Sequence, residues 1–273
     1  MTIVTVMLHV EVDAPCDDRI RVAAGLSSRL HATLIGVTAW EPRPPLTYGG
    51  VVIDSKRTKG KLQEMSDRLA AVGEHFRMLV GEQQPTEWRA AIESPTEFLA
   101  VQARASDLVV IGRDRVAGDL HRSLDPGATI LKAGRPVLVV PSGVDSLELR
   151  GAVIGWKDTR EARRALLDSL PLLCQVTRVA IVEIAEPDSD DESQLQIDDA
   201  ANYLARHRIA VSTRTTSHAA GSVSKELIRI AQDEKADIIV AGGYGHTRLG
   251  EWVFGGVTQD LLATSPVCCL FSH

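Results

Sequence analysis

The chain has 273 residues, a formal net charge of −6 and a hydrophobic content of 44%, a combination typical of a globular protein with two ordinary domains. The negative charge argues against a general affinity for nucleic acid or for anionic membrane surfaces. Aromatic residues make up only 4% of the chain. The core should therefore consist of Val, Leu, Ile and Ala, which suits parallel strands with helices on both faces.

Nothing in the sequence indicates secretion or membrane insertion. No window approaches the roughly 20 apolar residues of a membrane span, and the first four residues lack the basic region of a secretory signal. The cysteines have spacings that match no common zinc or redox motif; they are Cys16, Cys174, Cys268 and Cys269. These features predict a cytoplasmic protein.

Strands and helices are predicted to alternate through the first 141 residues. The predicted strands cover residues 3–12, 32–40, 87–92, 108–112 and 136–140. Helices are predicted over residues 17–30, 55–79, from Pro95, and over 127–133. Residues 141–149 are interpreted as a linker.

The same order is predicted for residues 150–273. Strands are predicted over residues 152–156, 176–184, 209–215, 238–242 and 267–271. Predicted helices run from the capping residue Thr159 to 173, from the acidic segment 188–192 to 206, over 222–232, and from about Gly256. The acidic segment suits either a metal site or a solvated helix start, and the second interpretation is favoured.

Two stretches of the chain are copies of one another. Residues 105–112 (ASDLVVIG) recur as residues 235–242 (KADIIVAG). Asp107 and Asp237 are 130 residues apart, and so are Pro136 and Pro266. A fixed offset at separate markers indicates a duplicated unit, so the predicted domains are 1–141 and 150–273.

Each copy is predicted to be a doubly wound parallel α/β sheet of five strands. The fifth strands, 137–140 and 267–271, are apolar. Because an exposed apolar edge strand invites pairing, we expect these two strands to meet near a pseudo-twofold axis. The chain would then be an internal pseudo-dimer, able to form a further homodimer.

The second copy carries a glycine-rich segment at the position where such folds bind ligands. Ligands lie beyond the carboxyl ends of the strands, where the strand order reverses. Gly242 and Gly245 follow the fourth strand, and Gly255 and Gly256 precede a predicted helix. Glycines there let backbone N–H groups approach an anion, and a helix N-terminus and the Thr258 hydroxyl add donors. The alternative is an ordinary turn that needs glycine.

The spacing of these glycines resembles a known nucleotide-binding motif. Gly242, two residues, Gly245, nine residues and Gly255 resemble the motif of the universal stress protein family. The flanking segments 236–241 and 265–267 resemble the same family, and the resemblance covers nearly the whole chain as two tandem domains. It implies a fold similar to adenine-nucleotide-binding α/β domains, which are Rossmann-like and related to the α-hydrolase type.

The resemblance implies a site for ATP, with Mg²⁺, in the second copy. The residues it assigns to this site are Gly242, Gly245, Gly255, Gly256, Val257, Thr258, Lys157, Asp158 and Thr159. Two of them depart from the family pattern: Gly256 stands where Ser or Thr is usual, and Lys157 where an Asp is usual.

The first copy has lost this pattern. Asp13 matches the usual Asp, but Arg115 replaces the second glycine, and Asp125 with Pro126 replaces the closing pair. A carboxylate repels phosphate, so no nucleotide is expected in the first copy. Arg113 and Arg115 could form ion pairs with Asp114 or Asp125 or bind another anion, and ion pairing is the favoured interpretation.

The functional prediction is a regulatory protein of the stress response that binds ATP or a related adenine nucleotide in its C-terminal domain and acts through a protein partner. No catalytic base, arginine finger or catalytic triad is evident, so no enzyme is predicted and any ATP hydrolysis would be slow. Two alternatives remain: a scaffold whose glycine segment binds no nucleotide, and a binder of another small molecule.

Overall fold

The computed structural model describes residues 2–42, 47–48, 51–52, 55–82, 84–113, 119, 121–185, 191–217, 222–244 and 256–273. The elements of the first half are, in chain order, β1 Thr5–His9, α1 Asp17–Leu30, β2 Thr33–Ala39, β3 Thr47–Tyr48, β4 Val51–Val52, α2 Ser55–Val80, β5 Thr86–Ala91, α3 Pro95–Gln102, β6 Leu108–Gly112, α4 Pro126–Lys132 and β7 Val137–Val140. A short 3₁₀ helix, Ala103–Ala105, follows α3.

The second half begins with the next strand and repeats this order. Its elements are β8 Gly151–Trp156, α5 Arg160–Leu173, β9 Arg178–Ala185, α6 Asp191–Arg206, β10 Val211–Ser217, α7 Val223–Asp233, β11 Ile238–Gly242, α8 Gly256–Thr264 and β12 Cys268–Ser272. The predicted alternation of strands and helices is thus confirmed in both halves.

Within the described residues, the main sheet has ten strands in the order β10-β9-β8-β11-β12-β7-β6-β1-β2-β5. Each half contributes five neighbouring strands, and all strand pairs inside a half are parallel. The two predicted five-stranded sheets are therefore present, and they are joined edge to edge. The short pair β3–β4, which the sequence did not predict, lies apart as an antiparallel ribbon.

The join between the halves is an antiparallel pairing of β7 with β12. Val139 faces Cys269, and these two residues are 130 positions apart. Because 130 is also the offset of the repeat, Val139 and Cys269 are equivalent residues and mark the pseudo-twofold axis. The predicted meeting of the fifth strands is confirmed.

Helices cover both faces of the sheet, and the apolar core on each face runs through both halves. On one face, Ile20, Leu166 and Ile197 from α1, α5 and α6 share a cluster of buried residues. On the other face, Leu99, Ile130, Leu227 and Leu261 from α3, α4, α7 and α8 share a second cluster. The halves therefore do not have separate cores.

The aspartate of the repeated segment has the same structural role in both halves. The Asp107 carboxylate accepts hydrogen bonds from the backbone N–H groups of Val4 and Thr5 at 2.9 and 3.0 Å. Asp237 accepts from those of Arg150 and Gly151 at 3.2 and 3.4 Å. Both carboxylates thus hold the start of the first strand of their half, which explains the aspartate in each copy without any ligand.

Predicted boundaries agree most closely where polar residues mark the ends of helices. α1 spans 17–30 as predicted, with acidic residues in its first turn and His31 in the left-handed region, at φ 53°, at its end. The first strand is shorter than predicted: β1 ends at His9, although Val10 and Val12 remain buried. In the part of the chain that the structure describes, no helix is long and apolar enough to cross a membrane.

Candidate functional site

The carboxyl ends of β8 and β11 form the point at which the strand order of the second half reverses. Within this half the strands run in the order third, second, first, fourth, fifth, so β8 and β11 are neighbours. The chain leaves them in opposite directions, which opens a crevice between the following loops. Residues 157–159 and 243–244, from these two loops, adjoin this point.

Gly242 lies directly against the start of α5. A Cβ added to Gly242 would be 2.8 Å from Ala162 N and from Glu161 C, both in the backbone of that helix. The position therefore needs glycine for packing alone. The same contact brings a helix N-terminus to the end of β11, where the helix dipole favours negative charge.

The segment from Lys157 to Thr159 makes the tight entry into α5. Thr159 is the N-cap: its hydroxyl oxygen accepts from Ala162 N at 3.2 Å. Asp158 is 3.6 Å from Arg163 Nε, an exposed pair. Lys157 and Asp158 are both exposed at the mouth of the crevice. Thr159 is thus a capping residue, whether or not a ligand binds.

Gly256, Val257 and Thr258 form the first turn of α8. Gly256 is exposed, and a Cβ added there would meet no atom within 4 Å. Thr258 is buried, and its hydroxyl oxygen accepts from the backbone N–H of Tyr244 at 3.2 Å. The structure therefore brings the start of α8 next to the loop after β11. Gly245 and Gly255 lie outside the described residues.

Charged side chains surround the start of α5. Glu161 is 2% exposed, and its carboxylate is 3.0 Å from Nη2 of Arg160, which extends into solvent. Arg160 and Arg163 have side chains 68% and 60% exposed. With Lys157, the mouth of the crevice carries three basic side chains, which suits an anionic ligand.

Strand register compares the first-half residues with those around Lys157. Val6 pairs with Leu108, and Ala152 pairs with Ile238 in the equivalent position. Val6 and Ala152 are 146 residues apart, so continuing this register past the paired residues places Glu11 level with Lys157. The starts of α1 and α5 are only 143 residues apart, so the loop after the first strand is longer in the first half. Asp13, which the sequence suggested, binds Arg68 and Arg122, each at 3.0 Å.

A buried ionic cluster fills the corresponding space in the first half. Glu11 is 5% exposed, and its carboxylate is 3.3 Å from His9 Nδ1 and 3.8 Å from Arg19 Nη1. A Cβ added to Gly112 would be 2.6 Å from Arg19 Nη2, so the guanidinium rests on this glycine. Burial alone would raise the pKa of Glu11, but its interactions with His9 and Arg19 outweigh burial and hold that pKa below its usual value.

The helix that corresponds to α8 is capped by its own side chain. Asp125 Oδ1 accepts from Ala128 N at 3.1 Å at the start of α4. A carboxylate thus occupies the end of this helix, where a phosphate would have to lie. Arg113 donates to the backbone oxygen of Ser265 in the other half at 2.7 Å. Arg115, Asp114 and the expected pairs that involve them lie outside the described residues.

Other candidate features lie away from the crevice. A cavity of about 290 Å³ is found at the amino ends of β8, β9 and β10, the opposite end of the sheet. Trp156 is buried in the core rather than exposed for stacking. No cluster of metal-binding side chains occurs among the described residues. Residues 188–190 of the acidic segment are outside the described part.

The fold defines a tandem α/β protein built from two doubly wound sheets. Residues 161–272 match the family described as the universal stress protein family. The family resemblance seen in the sequence is therefore confirmed for this part of the chain. No curated protein matches the chain in sequence.

Solved structures reproduce the fold over nearly the whole chain. A universal stress protein from Archaeoglobus fulgidus DSM 4304 is 13% identical, with a TM-score of 0.64, covering 98% of this chain and 95% of that one. A functionally unknown protein from Pseudomonas aeruginosa PAO1 is 14% identical, with a TM-score of 0.59, covering 99% and 92%. At these identities the comparison establishes the shared two-domain fold.

Three features of the crevice were not predicted from the sequence. Glu161 is buried beside Gly242, Tyr244 contacts both α8 and the first half, and Glu11 is buried with Arg19 beside Gly112. For the Tyr244 contact, the sequence offered one signal, the position of this tyrosine inside the glycine-rich segment. The other two depend on strand register and packing, which no local pattern reveals.

Proposed function

We propose that the second half binds an adenine nucleotide, ATP with Mg²⁺, in the crevice between β8 and β11. The observation that carries this proposal is the convergence of two helix N-termini, those of α5 and α8, at the carboxyl end of β11. Such ends favour phosphate. The open space at Gly256 and the basic side chains at the mouth of the crevice suit the same ligand.

In this proposal the phosphates lie against the backbone from Gly242 to Gly245 and from Gly255 to Thr258. Lys157, Asp158 and Thr159 form the opposite wall. The metal ion would come with the nucleotide phosphates, since the described residues contain no metal-binding cluster of their own. The first half binds no nucleotide in this way, because Asp125 caps α4 and Arg19 fills the space beside Gly112.

The bound nucleotide would serve regulation rather than catalysis. We propose a cytoplasmic stress-response protein that changes its contacts with a protein partner when nucleotide binds. Among the described residues beside the crevice no general base is identified, and Glu161 is paired with Arg160. Any hydrolysis would accordingly be slow.

Isothermal titration calorimetry with ATP, with and without Mg²⁺, tests the binding. Wild type should bind at one site, and Gly245→Arg, which copies Arg115 of the first half, should abolish binding. Gly25→Arg, on an exposed helix position with open space around it, is the matched control and should bind as wild type does. No binding by wild type at millimolar ATP would refute the proposal.

A scaffold without nucleotide is the second candidate, and two contacts favour it. Gly242 is explained by the packing of α5, and the Thr258 hydroxyl accepts from the protein's own backbone. In that case the crevice stays closed on itself, and the surface presented to partners does not depend on nucleotide. Failure of the calorimetric test would leave this candidate as the better account.

A further inference from the structure

The residues after β11 pack against the first half of the molecule. A Cβ added to Gly243 would be 2.6 Å from Ile130 Cγ2 in α4. The backbone N–H of Gly243 donates to Ser272 O of β12 at 2.8 Å. The chain thus leaves β11 pressed against the pseudo-twofold interface, with no room for a side chain at Gly243.

Tyr244, the next residue, contacts one helix from each half. Its hydroxyl is so near Gly127 in α4 that a Cβ added there would clash with it, and its Cζ would be 3.4 Å from that Cβ. Asp125 Oδ1, which caps α4, would also be 3.4 Å from that Cβ. On the other side, the backbone N–H of Tyr244 donates to the Thr258 hydroxyl of α8 at 3.2 Å.

The backbone of Tyr244 is strained. Its φ is +55°, in the left-handed region that residues with a side chain rarely adopt. Such a conformation costs free energy and persists only where surrounding contacts hold it. The contacts with Gly127 and Thr258 help to hold it here.

We propose that Tyr244 is a positioning residue that fixes the start of the glycine-rich loop by docking it on α4, so that the first half forms part of the ligand site of the second half. The inference rests on the proposed nucleotide site and names how that site is regulated. A ligand held by the loop stabilises the position of Tyr244 and with it the start of α4. By linkage, the contact with α4 raises ligand affinity by the same factor by which the bound ligand strengthens that contact.

A double-mutant cycle between Gly127 and Tyr244 tests the contact. Gly127→Ala places a methyl group against the Tyr244 hydroxyl and should weaken ATP binding at least about fivefold. Tyr244→Phe removes that oxygen and leaves Cζ 3.4 Å away, an ordinary contact. Gly127→Ala should therefore have no further effect in the Tyr244→Phe background.

The expected loss comes from the clash and not from a damaged helix, since alanine favours helix over glycine. Gly25→Ala, on an exposed position of α1 with no atom within 4 Å of the new Cβ, is the matched control. It should leave ATP affinity unchanged. If both Gly127→Ala and Tyr244→Phe bind ATP as wild type does, this inference is wrong while the nucleotide site stands.

Hydrogen exchange of α4 provides a readout that needs no ligand. Amides of Thr129 and Ala133, which donate to Asp125 O and Thr129 O, should exchange about fivefold faster in Tyr244→Phe. Tyr203→Phe, on α6 beside His207, should leave them unchanged. If wild type binds no ATP, the proposed function fails, and this comparison still decides the inference: unchanged exchange in Tyr244→Phe overturns it.

Discussion

At the scale of single residues, Gly256 is a position where the proposed nucleotide site departs from the universal stress protein pattern and where a side chain could be restored. Its backbone is outside the positive-φ region, and a Cβ there meets no atom within 4 Å. A serine would therefore fit without strain. It would restore the hydroxyl that the family pattern places beside the phosphates.

Gly256→Ser is expected to strengthen ATP binding roughly ten- to a hundredfold, because a hydrogen bond to a charged group contributes about 1.5–3 kcal/mol. Calorimetric titration of both proteins measures the difference. Gly25→Ser, in equally open space on α1, should not change affinity. Equal affinity of wild type and Gly256→Ser would show that the residue does not face the phosphates.

Glu11 is expected to contribute to stability in a pH-dependent way. Its pKa is lowered in the folded protein, so its contribution is complete above the ordinary value of 4.5 and is lost as pH falls below it. Glu11→Gln should be less stable at neutral pH and should lose less stability on acidification. Urea unfolding between pH 7 and about pH 3 measures both effects.

Glu148→Gln removes a carboxylate that is half exposed and pairs with Arg29 on the surface. It should keep the wild-type acid dependence, since exposed pairs contribute little. If the free energy of unfolding of Glu11→Gln falls with pH as steeply as that of wild type, protonation of Glu11 is not the cause of the acid dependence.

At the scale of elements, the start of α5 combines two roles. Its first turn packs on Gly242, and its cap comes from Thr159, which the resemblance assigned to the ligand site. A residue that caps a helix beside a crevice stabilises that helix whether or not a ligand binds. Its presence is therefore weaker evidence for a ligand than the open position at Gly256.

Thr159→Ala should lower the free energy of unfolding by about 1 kcal/mol, the usual loss for an N-cap hydroxyl. Thr159→Ser keeps the hydroxyl and should stay close to wild type. Chemical denaturation of the three proteins measures the loss. Equal destabilisation by Ser and Ala would exclude the hydroxyl bond as the cause.

Most elements could be predicted because their signals are local. Continuous apolar runs located β6 and β11, and Pro95 and Thr159 marked helix starts that the structure confirms. The site was less accessible to prediction. Asp13 follows the first strand as Lys157 follows β8, but continuing the strand register places Glu11 level with Lys157, and Asp13 pairs with Arg68 and Arg122. Such an assignment depends on long-range register, which sequence does not display.

At the scale of the whole molecule, the β7–β12 seam makes one sheet and two shared cores from two copies. Val139 and Cys269 at its centre are 3% and 2% exposed. A polar group placed there has no water and no hydrogen-bond partner available. The seam is therefore the position at which a substitution should affect both halves together.

Val139→Asp should lower the free energy of unfolding by at least about 3 kcal/mol. Val101→Asp, on a position of α3 that is 53% exposed, should change it by less than about 0.5 kcal/mol. Urea denaturation followed by circular dichroism compares them. A small effect of Val139→Asp would mean that the seam opens at little cost.

Labelling of the cysteine thiols tests whether the β7–β12 seam is closed. Burial raises the pKa of Cys269 to about 12, and Cys16 and Cys268 are also buried, whereas Cys174 is exposed. Near neutral pH only Cys174 should react quickly in the native protein, because the thiolate is the reactive form. Mass spectrometry of alkylated peptides should show Cys269 labelled in Val139→Asp, and its labelling in native wild type would contradict the closed seam.

Because the two copies are joined in one chain, equivalent positions can hold different residues. In a dimer of identical chains, equivalent positions must hold the same residue, so an arginine at one would appear at both. Here Arg113 and Gly243 occupy equivalent positions, 130 residues apart. Arg113 bonds Ser265 O across the interface, whereas Gly243 has no room for any side chain against Ile130. Joining the copies in one chain thus allows Arg113 to stabilise the interface from one loop while the equivalent loop stays glycine-rich.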